Sequence, residues 1–470
     1  MKLYDYLKKL NMNISNKVDI DINNVTSDSR KCDENSLYVN INNGYLENAV
    51  EKGIKVVVSE SYIDSVNIIN NVELIIIYVK DIKDFYYQAL KTFYNINNGY
   101  KIGVTGTCGK TTTVTLLYET LKLKKFNLLL ISSNGNSTFI GGIEKFYPTK
   151  NTTPDIETIY ELINKCNYDY VIIEASSQGI MNNRLKGIVF DMCVFLNLSS
   201  DHLDYHKTLS NYLNAKLELF NNLKNNGIGL VNYHNKFKSL FLSDKYDTYT
   251  FGINEGDYYI SYEKVDFETM KIKLGDKYVL TYLVGDYNAE NISAVNAILS
   301  LLNINSDSLI NCLNDGFIVD GRFNVISYKD NKIIIDFAHT EKEVEKLLNH
   351  VFEYKLNKLY IVIGAGGDRD KSKRPVFGYL TTMYSDLVIF TEDNSRSEST
   401  IDIVKDMTRD LTKNNYLSIL NRYDAIKYGI GLLDKNDILL IIGKGIDKSK
   451  CYDRYLSDFE IVKEVINNDF

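Results

Sequence analysis

What most restricts the fold of this 470-residue chain is an alternation. Short runs rich in Val, Ile, Leu and Tyr recur along it: VVVSE, ELIIIYV, KIGVTG, YVIIEAS, MCVFLNLS, KIIIDFA, LYIVIGA, DLVIFTE and DILLIIG. Stretches with helical spacing lie between them. A strand buried on both faces reads as a continuous apolar run, and parallel neighbours need a crossover connection, usually a helix. The pattern predicts an α/β fold with largely parallel sheets. At ~100–200 residues per domain the length implies two to four domains, and we expect three, at residues 1–97, 98–319 and 320–470. The first closes with an amphipathic stretch around Asp84–Tyr94 and a polar linker, NINNGY. The second opens with KIGVTG, and the third begins near Gly321.

Composition narrows the classes further. A hydrophobic fraction of 44% and 24% charged residues are ordinary for a globular protein. The net charge of −7 predicts no nucleic-acid partner, while a local site for an anion stays open. Six cysteines without a C-x-x-C pair predict reduced thiols and neither disulfide framework nor zinc site. The N-terminal MKLYDYLKKLNMNISNK has no apolar leader core, and runs such as VELIIIYV and ILLII fall short of the ~20 residues that span a bilayer. A cytoplasmic protein without membrane insertion is expected. Only three prolines occur, which excludes proline-rich recognition.

Strand KIGVTG runs into Thr107-Cys108-Gly109-Lys110-Thr111-Thr112-Thr113 and then the helical VTLLYETLKL. A glycine-rich turn at a helix N-terminus aims N–H groups and the positive helix end at phosphate. Lys110 would reach the outer phosphates and Thr111 would offer a hydroxyl to Mg²⁺. Val104 fills the first glycine slot of the usual pattern, so a plain βα turn with a surface lysine is the alternative. Further on, YVIIEASSQ places Glu174 at a strand end, where ligands bind in parallel sheets and where a carboxylate could hold Mg²⁺. An ordinary strand-end carboxylate is the alternative.

The string Ser200-Asp201-His202-Leu203-Asp204-Tyr205-His206 holds two of the five histidines beside two aspartates. It reads either as a ligand cluster or as an N-capping Asp with surface histidines. Leu209, Leu213, Leu217 and Phe220 form a helical stripe, with Lys216 beside it. That lysine either snorkels to solvent or, desolvated to a neutral amine, reacts with carbon dioxide to give a carbamate, an oxygen ligand suited to Mg²⁺.

Taken in order, VTSDSR, GVTGTCGKTTT, NTTPD, EASSQ, NLSSDHLDYH, AKLELF, GDYNAEN, GRF, DFAHT, GGDRDKSKRP, DNSRSE and GKGID resemble the motifs of the Mur ligases. Within that family the resemblance is to the type that makes UDP-N-acetylmuramoyl-tripeptide. It covers nearly the whole chain. It implies an N-terminal UDP-sugar-binding domain, a central P-loop ATPase domain with a mostly parallel sheet, and a Rossmann-like C-terminal domain that binds an amino acid. The implied reaction is ATP-dependent amide ligation in peptidoglycan precursor synthesis. A carboxylate of UDP-MurNAc-L-Ala-D-Glu is phosphorylated, and an amino acid, meso-diaminopimelate, attacks the acyl phosphate. The cofactors implied are ATP and Mg²⁺, and the chain is expected to be a monomer.

Residue by residue, the resemblance implies ATP contacts at Gly106, Thr107, Gly109, Lys110, Thr111, Thr112, Asn288, Asn291, Arg322, Asp336 and His339. Thr111, Glu174, His202 and a carbamylated Lys216 would hold metal, with Lys110, Glu174, His202 and Lys216 as the catalytic set. Ser27, Ser29, Thr152, Thr153, Ser176 and Arg184 would contact the UDP substrate. Arg369, Asp393, Asn394, Arg396, Gly443 and Asp447 would bind the amino acid. Retention of Arg396 favours an amino acid with a distal carboxylate, which a guanidinium grips through two parallel hydrogen bonds.

The chain departs from the family pattern in places. Gln178 and Ile446 stand where the family has histidines, Asp447 where it has glutamate, and a loop after LYVNINNGY is shorter. Asp320, Glu341 and Ser395 occupy slots where the family commonly has proline, which we read as compositional drift. These departures keep two other readings open: a paralogue joining a different amino acid or acyl acceptor, and a nucleotide-binding subunit without ligase activity.

Overall fold

The computed structural model describes residues 1–12, 20–63, 74–199 and 201–468; Ser200 of the aspartate–histidine string lies outside them. Among these residues the strands form three principal sheets and a hairpin, Ser449–Cys451 with Arg454–Leu456. The first sheet has four parallel strands in sequence order, Asn24–Thr26, Ser36–Val39, Val56–Ser59 and Ile75–Tyr78. Helix Ile82–Phe93 follows it, capped by the Asp81 side chain and burying Ile82, Phe85, Tyr86, Ala89 and Leu90.

The second sheet has eleven strands. Strand Tyr100–Thr105 lies at its centre, parallel to Tyr170–Glu174 on one side and Phe190–Phe195 on the other. Their C-terminal ends therefore point the same way, so the loops after Thr105, Glu174 and Phe195 gather on one edge, where α/β sheets bind ligands. Beyond this parallel core the sheet changes character. Strands Leu128–Ser132, Gly135–Ile140 and Ile143–Tyr147 run antiparallel at one end. Tyr258–Lys264, Met270–Leu274 and Lys277–Thr281 do so at the other. Met270–Leu274 and Lys277–Thr281 alternate more and less buried residues, the pattern of strands that face solvent on one side.

The third sheet has six strands, of which Asn331–Asp336, Ile438–Ile442, Leu359–Ile363, Leu387–Phe390 and Tyr416–Ser418 are parallel. Asn324–Tyr328 pairs antiparallel at the edge. Ile333, Ile334, Ile335, Leu439, Leu440 and Ile441 are fully buried, as strands covered by helices on both faces require.

Helix Leu209–Asn221 corrects one expectation. Its buried residues are Tyr212, Leu213, Ala215, Lys216, Leu219 and Phe220, whereas Leu209 and Leu217 are only partly covered. Lys216 thus lies within the buried face and not beside it, and snorkelling is ruled out because the residue has 0% exposure. The cysteines are free, and among the described residues no helix is long and apolar enough to cross a membrane.

Candidate active site

A cleft of ≈ 690 Å³ runs between the second and third sheets, and most of the candidate residues line it. Its floor is the phosphate loop. Gly109 caps helix Lys110–Leu123 in a left-handed conformation, φ 82°. A Cβ there would stand 2.2 Å from Asn291 Oδ1, so only glycine fits. Asn291 accepts from Thr113 Oγ1 at 3.3 Å and donates to Asn288 at 3.2 Å, which in turn donates to the Val284 carbonyl at 2.9 Å. The two candidate adenine-side asparagines are thereby tied to the loop.

Asn197 holds the other side of the loop. It accepts from Cys108 N–H at 2.9 Å and donates to the Cys108 carbonyl at 3.1 Å. Thr107 and Ser199 are joined by a further bond, Ser199 N–H to Thr107 Oγ1 at 3.0 Å. Lys110 folds its amine onto the Gly106 and Thr107 carbonyls, at 3.0 and 2.8 Å.

Glu174 is 1% exposed. It accepts from Thr111 Oγ1 at 3.0 Å, from Ser133 N–H at 2.9 Å and from Ser133 Oγ at 3.1 Å. Among the described residues no lysine, arginine or histidine pairs with it. A buried carboxylate needs a compensating charge, and a hydroxyl beside a carboxylate is an oxygen donor set that suits Mg²⁺. The residues present fit that ion.

Ser133 Oγ, its one proton given to Glu174, can accept from the Thr152 hydroxyl 2.9 Å away, and Thr152 lines the cleft. Thr153 does not line it. Its hydroxyl donates to the Glu174 carbonyl at 2.8 Å and accepts from Ser176 N–H at 3.0 Å, so it braces the wall behind the contacts expected of it. Ser176 caps helix Ser177–Met181, and Arg184 donates to the Thr153 carbonyl at 2.7 Å.

Lys216 sits behind the phosphate loop and off the cleft surface. Its amine donates to the Gly106 carbonyl at 2.7 Å and lies 4.1 Å from the centre of the Tyr212 ring. Burial, reinforced by the nearby Lys110, holds its pKa well below the ordinary lysine range, which favours the neutral amine that carbamate formation requires. His202 adopts φ 53° and lies 3.3 Å from Asp201. Burial lowers its pKa to about 4 despite that aspartate, so the imidazole is neutral at pH 7 and free to act as a ligand. Among the described residues no three His, Cys, Asp or Glu side chains form a group that could hold a metal ion.

Third-sheet residues close the cleft from above. Asp336 accepts from Phe323 and Ala338 N–H groups, each at 2.7 Å, and burial raises its pKa to about 6. Arg322 stacks over Phe337, 4.4 Å from the ring centre. His339 lies between two carboxylates, with Nε2 3.6 Å from Asp201 and Nδ1 3.4 Å from Glu343. Burial works against its charge, but these carboxylates outweigh burial and raise its pKa.

The candidate amino-acid residues lie on two interlocked loops. Gly367 N–H donates to the Asn394 carbonyl at 3.1 Å, and a Cβ on Gly367 would meet the Ser395 carbonyl oxygen at 1.9 Å. Asp368 receives the Ser397 hydroxyl at 2.6 Å, and Arg396 donates to the Gly367 carbonyl. Asn394 and Arg396 both have positive φ, and Lys444 donates to Asn394 at 2.9 Å. Gly443 at φ 114° would clash with Asp393 if it carried a Cβ, at 2.5 Å. Arg369 lies 3.5 Å from Asp204, and Asp447 lines the cleft. Ser395 binds Thr400 at 2.7 Å, and Glu341 opens helix Glu341–Glu353, where an acid suits the positive end.

Ser27 and Ser29 are not brought to this cleft. Ser27 N–H donates to Glu157 Oε2 at 3.4 Å, in a buried network with Thr26, Lys31 and Tyr86. Our reading of the sequence missed Asn197, Ser133, Glu343 and Lys373, and took Asp201 only as part of the aspartate–histidine string. Asn197 and Lys373 fall inside quoted motifs and could have been singled out. Glu343 was signalled only by its capping-box spacing from Thr340.

Comparison with known proteins matches residues 104–299 to the Mur ligase middle domain and 321–445 to the Mur ligase, glutamate ligase domain. A protein of Clostridium tetani named UDP-N-acetylmuramoyl-L-alanyl-D-glutamate–2,6-diaminopimelate ligase is 32% identical over 99% of both chains. One of the same name from Bacteroides fragilis is 34% identical, also over 99% of both. Among solved structures, a 2,6-diaminopimelate ligase superposes with a TM-score of 0.60 at 24% identity, covering 99% of each chain. The MurF ligase of Thermotoga maritima, solved with ADP, gives 0.68 at 18% identity, covering 95% of this chain and 97% of that one.

Proposed function

This chain belongs to the Mur ligase family, and on that premise we propose that it joins meso-diaminopimelate to UDP-MurNAc-L-Ala-D-Glu at the expense of ATP, in the cytoplasm, as a monomer. The observation that carries the reading is a single cleft, with a phosphate loop and the buried Thr111–Glu174 pair on one wall and Arg369, Arg396 and Asp393 on the other. Full-length similarity to two diaminopimelate ligases supports the substrate assignment. We assign residues 1–97 to the UDP-sugar, 98–319 to ATP and 320–470 to the amino acid.

Lys110, released from the Gly106 and Thr107 carbonyls, neutralises the β- and γ-phosphates, while the N–H groups of Gly109, Lys110 and Thr111 cradle them. Asn288, Asn291, Arg322, Asp336 and His339 orient the nucleotide. Thr111 and Glu174 would hold one Mg²⁺, and His202 with carbamylated Lys216 a second. Bound there, Mg²⁺ supplies positive charge that offsets the phosphate oxygens. Thr152, Ser176 and Arg184 present the substrate carboxylate in line with the γ-phosphate. Its oxygen takes the phosphoryl group, the terminal P–O bond breaks and ADP is the leaving group. Arg396 and Arg369 hold the distal carboxylate of the amino acid, and Asp393 with Asp447 holds an ammonium. The free amine attacks the acyl carbon, inorganic phosphate departs and the amine loses its proton. The protein's share of the catalysis is alignment and charge stabilisation.

A second reading, ligation of a different amino acid, is favoured by Asp447 being one methylene shorter than the family's glutamate and by Ile446 beside it. The test is ATP-dependent phosphate release with UDP-MurNAc-L-Ala-D-Glu and a panel of amino acids. Turnover with meso-diaminopimelate is expected. Turnover only with another amino acid selects the second reading, and no turnover with any pair leaves a nucleotide-binding subunit.

A further inference from the structure

Asp201 is an unusual carboxylate for this cleft. Its side chain is 3% exposed, yet it faces three basic groups from two different sheets. His202, its chain neighbour, belongs to the second-sheet loop. Lys373 donates to Asp201 Oδ1 at 3.1 Å, and His339 Nε2 lies 3.6 Å from Oδ2; both come from the third-sheet unit. Lys373 is the first residue of helix Lys373–Tyr384.

The position of Lys373 gives this contact reach. It ends the loop that carries Arg369, and Arg369 itself leans on Asp204, three residues beyond Asp201. The neighbouring Arg374, 1% exposed, holds the Gly366 carbonyl at 3.2 Å and Glu398 at 2.8 Å. Glu398 accepts from Asp368 N–H at 2.6 Å. The 366–370 and 393–398 loops are therefore one braced body, and Asp201 and Asp204 tie that body to the phosphate side.

We propose that Asp201 is a positioning residue for the amino-acid site: through Lys373 it sets the loop bearing Arg369, and the Arg396 loop locked to it, at a fixed distance from the phosphate loop. The inference rests on the ligase reading, which wild-type turnover in the same assay tests separately. His339 keeps Glu343 and the Phe337 carbonyl as partners if Asp201 loses its charge, so the nucleotide side retains its anchor.

The experiment compares the wild-type enzyme with Asp201→Asn and Lys373→Met, using whichever amino acid supports wild-type turnover. Both variants should raise KM for the amino acid about tenfold and leave KM for ATP within about twofold. The double variant should be no worse than the poorer single one, because the two substitutions share the Asp201–Lys373 contact and Lys373→Met has nothing more to remove there. Amide hydrogen exchange in residues 366–374 should quicken in each variant while helix Lys110–Leu123 keeps its protection. Lys373→Met keeps the test open should Asp201→Asn not fold. Equal rises in both KM values, additive losses in the double variant, or unchanged exchange in the 366–374 loop would each overturn the proposal.

Discussion

Replacing Lys216 with methionine should make the protein more stable and inactive at once. The amine is fully buried, with one hydrogen bond, to Gly106 O, and a ring contact with Tyr212. Losing the bond costs ~1 kcal/mol, and the neutral amine's ring contact adds little to that because the cation–π attraction needs a charge. The Gly106 carbonyl is not orphaned, because Lys110 also donates to it at 3.0 Å. Against this stands the cost of holding neutral an amine that is protonated in the unfolded chain at pH 7, ~1.4 kcal/mol for each pH unit that the folded pKa lies below the unfolded one, down to the working pH. Methionine has a similar length and adapts to irregular space, so a net gain of ~1 kcal/mol is expected. Urea unfolding followed by circular dichroism measures it, with hydrogen exchange in helix Leu209–Asn221 to localise the change. The pH dependence adds a second signature. The folded pKa is depressed, so between it and the unfolded value of ~10.4 the unfolded state binds the extra proton and wild-type stability rises with pH. The variant should lack that slope. Turnover should fall by at least about a hundredfold while ATP still binds, as expected when one charge-stabilising group is lost. Full activity, or a destabilisation beyond ~2 kcal/mol, would refute the idea that this lysine is retained for chemistry at a cost in stability.

Other expectations follow from the same geometry. Gly109→Ala places a side chain at φ 82° and against Asn291; left-handed backbone alone costs ~1–2 kcal/mol, so calorimetry should show ATP affinity lowered about tenfold or more. Arg396→Ala removes charge-assisted bonds of ~1.5–3 kcal/mol, so KM for the amino acid should rise about ten- to a hundredfold with little change for ATP. The His202 ring should titrate near pH 4 by NMR. Since its unfolded value is ~6.5, the unfolded state takes up the proton first as pH falls, so this group's contribution to stability declines between ~6.5 and about 4 and is level below; a midpoint near 6.5 would remove the case for a desolvated ligand.

The parallel cores of the sheets could be read from the chain because buried strands write themselves as uninterrupted apolar runs, as IIID and ILLII do. The antiparallel edges 258–281 could not, since half-exposed strands mix Tyr, Lys and Glu with their apolar residues and leave weaker signals. The glycine turn at a helix start was legible in Gly109-Lys110-Thr111 because spacing along the chain dictates it. The Asp201–Lys373 tie spans 172 residues, so local pattern gives no hint of it, whereas the capping-box spacing that marks Glu343 does not show that it faces His339. Lys216 shows both sides: its helix was plain, but the burial that gives its amine unusual chemistry depends on Gly106 and Tyr212 packing around it.

The most direct test of the account is product analysis by mass spectrometry after incubating the chain with ATP, Mg²⁺, UDP-MurNAc-L-Ala-D-Glu and meso-diaminopimelate. The account predicts one new species, heavier than the nucleotide substrate by diaminopimelate less one water, formed in step with one phosphate per turnover. ATP consumed without that species, or the species formed only with an amino acid lacking a distal carboxylate, would contradict it.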